Sequence, residues 1–195
     1  MNRTHSSDPR TERHRIWWAQ FLCAMGQGMG TVLIAMTLLA GSHGPGAIGL
    51  CVAAGLLPVA IGAGRAGRNA ERRSRRGTLV VSQLALAAVA AALAVESPPR
   101  LALVAPAAFG WGVARLAFDA SCLSSLHHLV AEERLGTAAR DLTGQFHAGY
   151  ICGLGLAAAG APGLGPRPLF LVAAAIFGAG AGVSAGHPAD IHLPP

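Results

Sequence analysis

Two charges stand inside an otherwise apolar stretch of this 195-residue chain. Arg115 and Asp119 lie in the run FGWGVARLAFDASCLSSL, four residues apart. On a helix that spacing puts both side chains on one face. A charge within a bilayer is costly, and such residues turn toward a bundle interior or a cavity. The chemistry open to this pair is proton exchange, in which the carboxylate takes a proton as the guanidinium moves to another partner. A fixed ion pair that orients its helix is the other reading of the same spacing.

Weaker polar signals surround this one. Gln20 and Gln27 are seven residues apart, on one helix face, and flank the run MGQGMG. Gly26 and Gly30 there form a small-xxx-small step, so close helix packing competes with a cavity-lining face. Further on, Thr143, Gln145, His147 and Tyr150 punctuate another apolar segment. His147 has the side chain that titrates near neutral pH, although an interhelical hydrogen bond explains it as well. His127, His128, Glu132 and Glu133 cluster beyond Leu126. His128 and Glu132 have a metal-ligand spacing, but no third ligand accompanies them. They read as a polar turn at the membrane interface, and no metal or cofactor is expected. No GxSxG, HExxH, P-loop or GxGxxG stands in a strand–helix context, so the chain is not read as an enzyme.

The elements that position these residues follow from composition. Hydrophobic residues make up 52% of the chain, charged ones only 12%, and the mean hydropathy is +0.47. A soluble domain carries about 25% charge. The shortfall excludes a soluble or a disordered chain. Six apolar segments can be drawn, at 16–40, 47–64, 78–95, 101–126, 142–160 and 168–186. A helix needs about 20 residues to cross the hydrocarbon. The first run is longer than the roughly 7–15 apolar residues of a signal peptide, so it reads as a retained span. On the fourth, Arg115 falls about 21 Å below Leu101, somewhat past the midplane, with Asp119 near the inner interface.

Orientation is read from the arginines, since every basic residue is Arg. Arg3, Arg10, Arg13 and Arg15 precede the first span. Arg65, Arg68, Arg72, Arg73, Arg75 and Arg76 follow the second, and Arg134 and Arg140 follow the fourth. The opposite loops hold only Arg100 and Arg167. The positive-inside rule then puts both termini in the cytoplasm. The short connections Gly41–Gly46, Glu96–Arg100 and Ala161–Arg167 read as tight hairpins. The net charge of +6 and pI near 10.4 do not indicate nucleic acid. The run from Arg65 to Arg76 has no interleaved aromatics and adjoins two spans, where it serves topology beside anionic headgroups. Cys23, Cys51, Cys122 and Cys152 each fall in a different span and read as small buried hydrophobes.

The stretch RLAFDASCLSSLHHLVAEERL resembles the end of helix four in major facilitator superfamily exporters, in the branch of siderophore and macrolide exporters. Arg115, Phe118, Asp119, Leu126, Leu129, Val130, Glu133, Arg134 and Leu135 fit that branch's pattern without a gap. Its prolines are replaced by Ala120, His127 and Ala131, and its arginine by Cys122. The run GAGRAGRNAERRSRRG is similar to the superfamily's signature between helices two and three, through Gly64, Arg72 and Arg73. Arg68 stands where that signature has its gating aspartate, and Glu71 is the nearest acid. Leu154 stands where the exporters have a proline in helix five.

The expected fold is therefore an all-α integral membrane protein, a six-transmembrane-helix bundle resembling the N-terminal half of a facilitator-type transporter. A basic cytoplasmic tail, 1–15, precedes the 16–186 membrane domain, and a cytoplasmic tail, 187–195, follows it. The resemblance implies a multi-pass protein of the inner (cytoplasmic) membrane. It implies proton-coupled export of a small amphiphilic molecule by a homodimer or with a partner half. Arg115 and Asp119 are then the proton-coupling pair. Gln20, Gln27, His147 and Tyr150 are substrate-cavity candidates, and Gly64, Arg68, Glu71, Arg72 and Arg73 form the gating loop. The alternatives are a non-transporting membrane protein, either an enzyme or a cofactor-binding or assembly partner that uses the helix-bundle cavity, and an inactive truncated transporter.

Overall fold

Apolar runs rich in Ala, Leu and Val, in a medium that leaves backbone groups no water to bond, satisfy themselves as helices. A computed structural model of the chain describes residues 9–41, 43–72, 74–95 and 101–186. Among them the regular structure is entirely helical: α1 (Pro9–Ala40), α2 (Pro45–Arg72), α3 (Arg75–Val95), α4 (Leu101–Leu129), α5 (Leu135–Leu164) and α6 (Pro166–Ala185). A short 3₁₀ turn, Glu132–Arg134, joins α4 to α5. Three helices begin with proline, whose fixed φ suits a first helical position and whose missing N–H costs nothing there. The expected tails, 1–15 and 187–195, lie outside the described residues except for 9–15, and so does the connection Glu96–Arg100.

Five helical stretches are long and apolar enough to cross a membrane: Thr11–Ala40, Pro45–Gly64, Arg75–Val95, Leu101–His127 and Pro166–Ala185. They mark a multi-pass membrane protein. The sixth expected span falls in α5, which has the length, 30 residues. Its polar side chains and many glycines leave it less apolar than the others. Exposed side chains agree with lipid contact: Leu57 and Ile61 on α2, Val81 on α3, Leu123 on α4, Ile151 on α5 and Leu171 on α6 all face outward.

The helices outrun the apolar segments at most ends, and the connections shrink accordingly. The expected arginine-rich loop Gly62–Gly77 is largely helix, because α2 continues through Arg72 and α3 starts at Arg75. Ala, Arg and Glu are good helix formers, so the helix does not stop where the apolar run does. The expected hairpin Ala161–Arg167 reduces to Gly165 between two helices, at φ 73°. Only a residue without a Cβ takes that conformation freely.

Each helix packs on its neighbours in an open arc, in the order α5, α1, α6, α3, α4, α2, with lighter contacts from α4 to α1 and α5. α1 lies at the centre, with 56% of its span buried, whereas α2 at one end of the arc has only 11% buried. Small residues let the backbones approach. A Cβ added at Gly149 or Gly153 of α5 would strike the carbonyls of Phe21 or Met25 on α1, and one at Gly112 of α4 would strike that of Gly55 on α2. The small-xxx-small step on α1 works differently from expectation. Gly26 and Gly30 receive the rings of Phe177 and Trp111, and Gly28 between them is the glycine that meets a helix backbone, at Tyr150.

Two further contacts fix the bundle. Gln83 of α3, fully buried, donates from Nε2 to Ser184 Oγ of α6 at 3.2 Å. Arg15 at the start of α1 donates to the carbonyl of Gly186 at the end of α6. That bond brings the first and last helix ends to the same end of the bundle.

Candidate functional site

The residues with chemistry collect where α1, α4 and α5 face the gap between the two ends of the arc. Helical spacing does the positioning. On α4, Trp111, Arg115 and Asp119 follow one another at four-residue intervals. On α1, Gln20, Gln27 and Thr31 share a face, as do Thr143, Phe146 and Tyr150 on α5. Arg115 sits at the midpoint of α4.

Arg115 Nε donates to Asp119 Oδ2 at 3.4 Å, with the two side chains 33% and 39% exposed. This is one long hydrogen bond, unlike the paired short bonds of a bidentate bridge. The guanidinium also lies over the ring of Phe146, 5.0 Å from its centroid. Asp119 Oδ1 is buried and has no hydrogen-bond partner among the described residues, and neither has Gln20 Oε1. Gln20, itself buried, faces the carboxylate. The thiols of Cys23 and Cys122, also buried, lie within electrostatic reach of the same group.

Two open cavities flank Arg115. The smaller, about 160 Å³, is lined by Gln20, Arg115, Asp119, Leu142, Thr143 and Phe146. The larger, about 300 Å³, has Arg115, Gln27, Thr31 and Tyr150 as its polar wall, with Ile34, Val52, Leu56 and Trp111 among its apolar lining. Tyr150 Oη donates to Thr31 Oγ1 at 3.0 Å, and Thr31 in turn donates to the Gln27 carbonyl at 3.0 Å. Phe146 stacks on Tyr150 at 5.8 Å. Trp111 meets Phe177 edge to face at 5.3 Å and forms the back of the larger cavity. The arrangement can hold a mobile charge and a small, mostly apolar guest within reach of each other.

The expected site residues fare unequally. Arg115, Asp119, Gln20, Gln27 and Tyr150 come together around the cavities. His147 does not: it is exposed on α5 and lines neither cavity, and its ring lies edge to face against Phe146 at 5.4 Å. It follows Phe146 by one residue, and adjacent residues on a helix point about 100° apart. His127 is exposed as well. Of the expected gating residues, Gly64 is exposed and stands, like Arg68, Glu71 and Arg72, on the helical backbone of α2. Those three side chains, and all of Arg73, lie outside the described residues. Cys23, Cys51 and Cys122 are buried, but Cys152 is exposed.

Sequence reasoning passed over Phe146, Trp111 and Thr31. Each lies one helical turn from a residue it had chosen: Trp111 from Arg115, Thr31 from Gln27, and Phe146 from Tyr150. The face, once identified, predicts them. No protein family, curated protein or solved structure matches the chain.

Proposed function

We propose that the chain is a half-size transporter of the facilitator type, which exports a small amphiphilic molecule across the inner membrane in exchange for protons. In this reading its termini are cytoplasmic, and a second copy or a partner half closes the open side of the arc. The single observation that carries the reading is the convergence of polar groups from three membrane helices on open cavities. Elsewhere on the spans, large apolar side chains such as Leu57, Val81, Ile151 and Leu171 are exposed. A lipid-facing helix gains nothing from Arg, Asp, Gln and Tyr at this depth, and a passage for a polar or charged guest requires them.

The proposed cycle uses groups already in contact. Asp119 takes a proton arriving through the smaller cavity, which weakens its bond to Arg115. Arg115, held on the Phe146 ring, is then free to follow a guest in the larger cavity. Loss of the proton to the other side restores the pair. Rocking of this half against its complement moves the cavities from one face of the membrane to the other.

The test is substrate-dependent proton flux. The purified chain is reconstituted into liposomes with an entrapped pH-sensitive dye, and a panel of amphiphilic acids, amines and neutral compounds is added across a pH gradient. At least one class should move protons with the wild type. The Arg115→Ala variant should insert equally well and move none. Flux that survives in that variant removes Arg115 from the mechanism. Native mass spectrometry in nanodiscs addresses the assembly, where a self-complementing half gives twice the 19.7 kDa chain mass.

A further inference from the structure

Arg115 belongs to the walls of both cavities. Its side chain is one-third exposed, and among the described residues only its Nε is hydrogen-bonded. The two terminal nitrogens of the guanidinium have no hydrogen-bond partner among the described residues. Phe146 lies beneath the group. In the lining of the larger cavity Arg115 is the sole charged residue, and the carboxylate that balances it lies in the wall of the smaller one. A cationic guest there would meet a like charge, whereas an anion would meet an opposite charge whose terminal N–H groups are donors. Ile34, Ile48, Val52 and Leu56 offer an apolar track leading away from that charge. The Tyr150 hydroxyl, also in the cavity wall, donates its hydrogen bond to Thr31 Oγ1.

We infer that the larger cavity binds a small amphiphilic anion, its acidic headgroup on the Arg115 guanidinium and its apolar body along α2. This names the substrate class for the transport reading and rests on that reading for its purpose, though not for its test. The same chemistry is available from a free organic acid and from an anionic lipid headgroup.

Trp111 forms part of the cavity wall and gives a local readout. With Trp17→Phe and Trp18→Phe, Trp111 is the remaining tryptophan of the full chain. That variant is placed in phosphatidylcholine nanodiscs and titrated with 4-phenylbutyrate, 4-phenylbutanol and 4-phenylbutylamine, which share one apolar body. The carboxylate should change Trp111 emission with a Kd at least about tenfold below those of the alcohol and the ammonium, as a charge-assisted bond implies. Arg115→Gln should erase that preference. Asp119→Asn, which removes the competing carboxylate, should leave it intact or enlarge it. Melting temperatures of the unmodified chain with the same three compounds should give the same order, so the result does not depend on the tryptophan variant folding well. Nanodiscs containing phosphatidylglycerol separate the two sources. A carboxylate response lost there means that lipid headgroups fill the same anion site, and a response retained means that a free acid does.

Equal or tighter binding of the ammonium would overturn the inference, as would a carboxylate preference that survives Arg115→Gln. Absence of any response from all three compounds would overturn it too. None of these results involves transport, so each leaves the proton-flux assay to decide the transport reading separately.

Discussion

Gln83 and Ser184 meet across the seam between α3 and α6, and Arg115 and Asp119 meet along one face of α4. Both pairs are polar and both lie among apolar helices, yet their surroundings differ in kind. The seam pair joins two helices, is buried at both partners, and leaves so little room that a Cβ added at Gly180 would strike the Gln83 amide. Such a bond holds neighbouring helices together and fixes their register. The α4 ion pair links two residues of one helix, with Phe146 of α5 and Gln20 of α1 beside it. Its side chains remain more than one-third or about one-third exposed, its bond is long, and cavities open on two sides of it. A polar group that serves packing is enclosed by its partner helix. In the proposed transport reading, one that serves passage keeps an open side and a weak partner. The difference lies in what surrounds each pair, not in residue type.

Substitutions can break or sharpen that contrast. The largest effect is expected at the open pair, where Arg115→Ala should abolish substrate-driven proton flux while the melting temperature in detergent stays close to that of the wild type. A large loss of stability together with flux would make the pair a structural bond like Gln83–Ser184. At the seam the order reverses. Gly180→Leu should lower stability by about 1–3 kcal/mol through overpacking against Gln83, read as a fall in melting temperature. Gln83→Leu removes one interhelical hydrogen bond and should cost about 0.6 kcal/mol. Flux per folded molecule should be unchanged in that variant. The smallest effect is expected at His147, which is exposed and away from both cavities. His147→Asn should leave flux, its pH dependence and stability at wild-type values, and a shifted pH profile would place this histidine in the proton path after all.

The helices and their faces were legible in the sequence because hydrophobic runs and helical spacing are local properties. Arg115 and Asp119 announced themselves by charge in an apolar run, and Gln20 and Gln27 by sharing a face. Where helices end was less legible, as α2 shows: its apolar stretch stops at Gly64, but residues that favour helix carry it to Arg72. The roles of individual glycines were not legible either. Gly26 and Gly30 had the small-xxx-small spacing, but the neighbours that use the space are aromatic rings from α4 and α6. Spacing states that room exists and cannot state which distant side chain fills it. His147 failed for a related reason, since its position within a span said nothing of the side of α5 it occupies. The bond between Gln83 and Ser184 joins residues 101 positions apart, and no local pattern pairs them.

The central claim is that the face shared by α1, α4 and α5 is a wet passage, while the far side of α6 faces lipid. Thiol labelling in sealed membrane vesicles tests it directly. Cys23, Cys51, Cys122 and Cys152 are first replaced by Ala. Thr31→Cys then reports on the larger cavity, and Ala175→Cys reports on the exposed middle of α6. Both positions lie deep within their spans. A membrane-impermeant, charged methanethiosulfonate should modify the Thr31→Cys variant many times faster than the Ala175→Cys variant. Equal rates, or faster labelling on α6, would contradict the account.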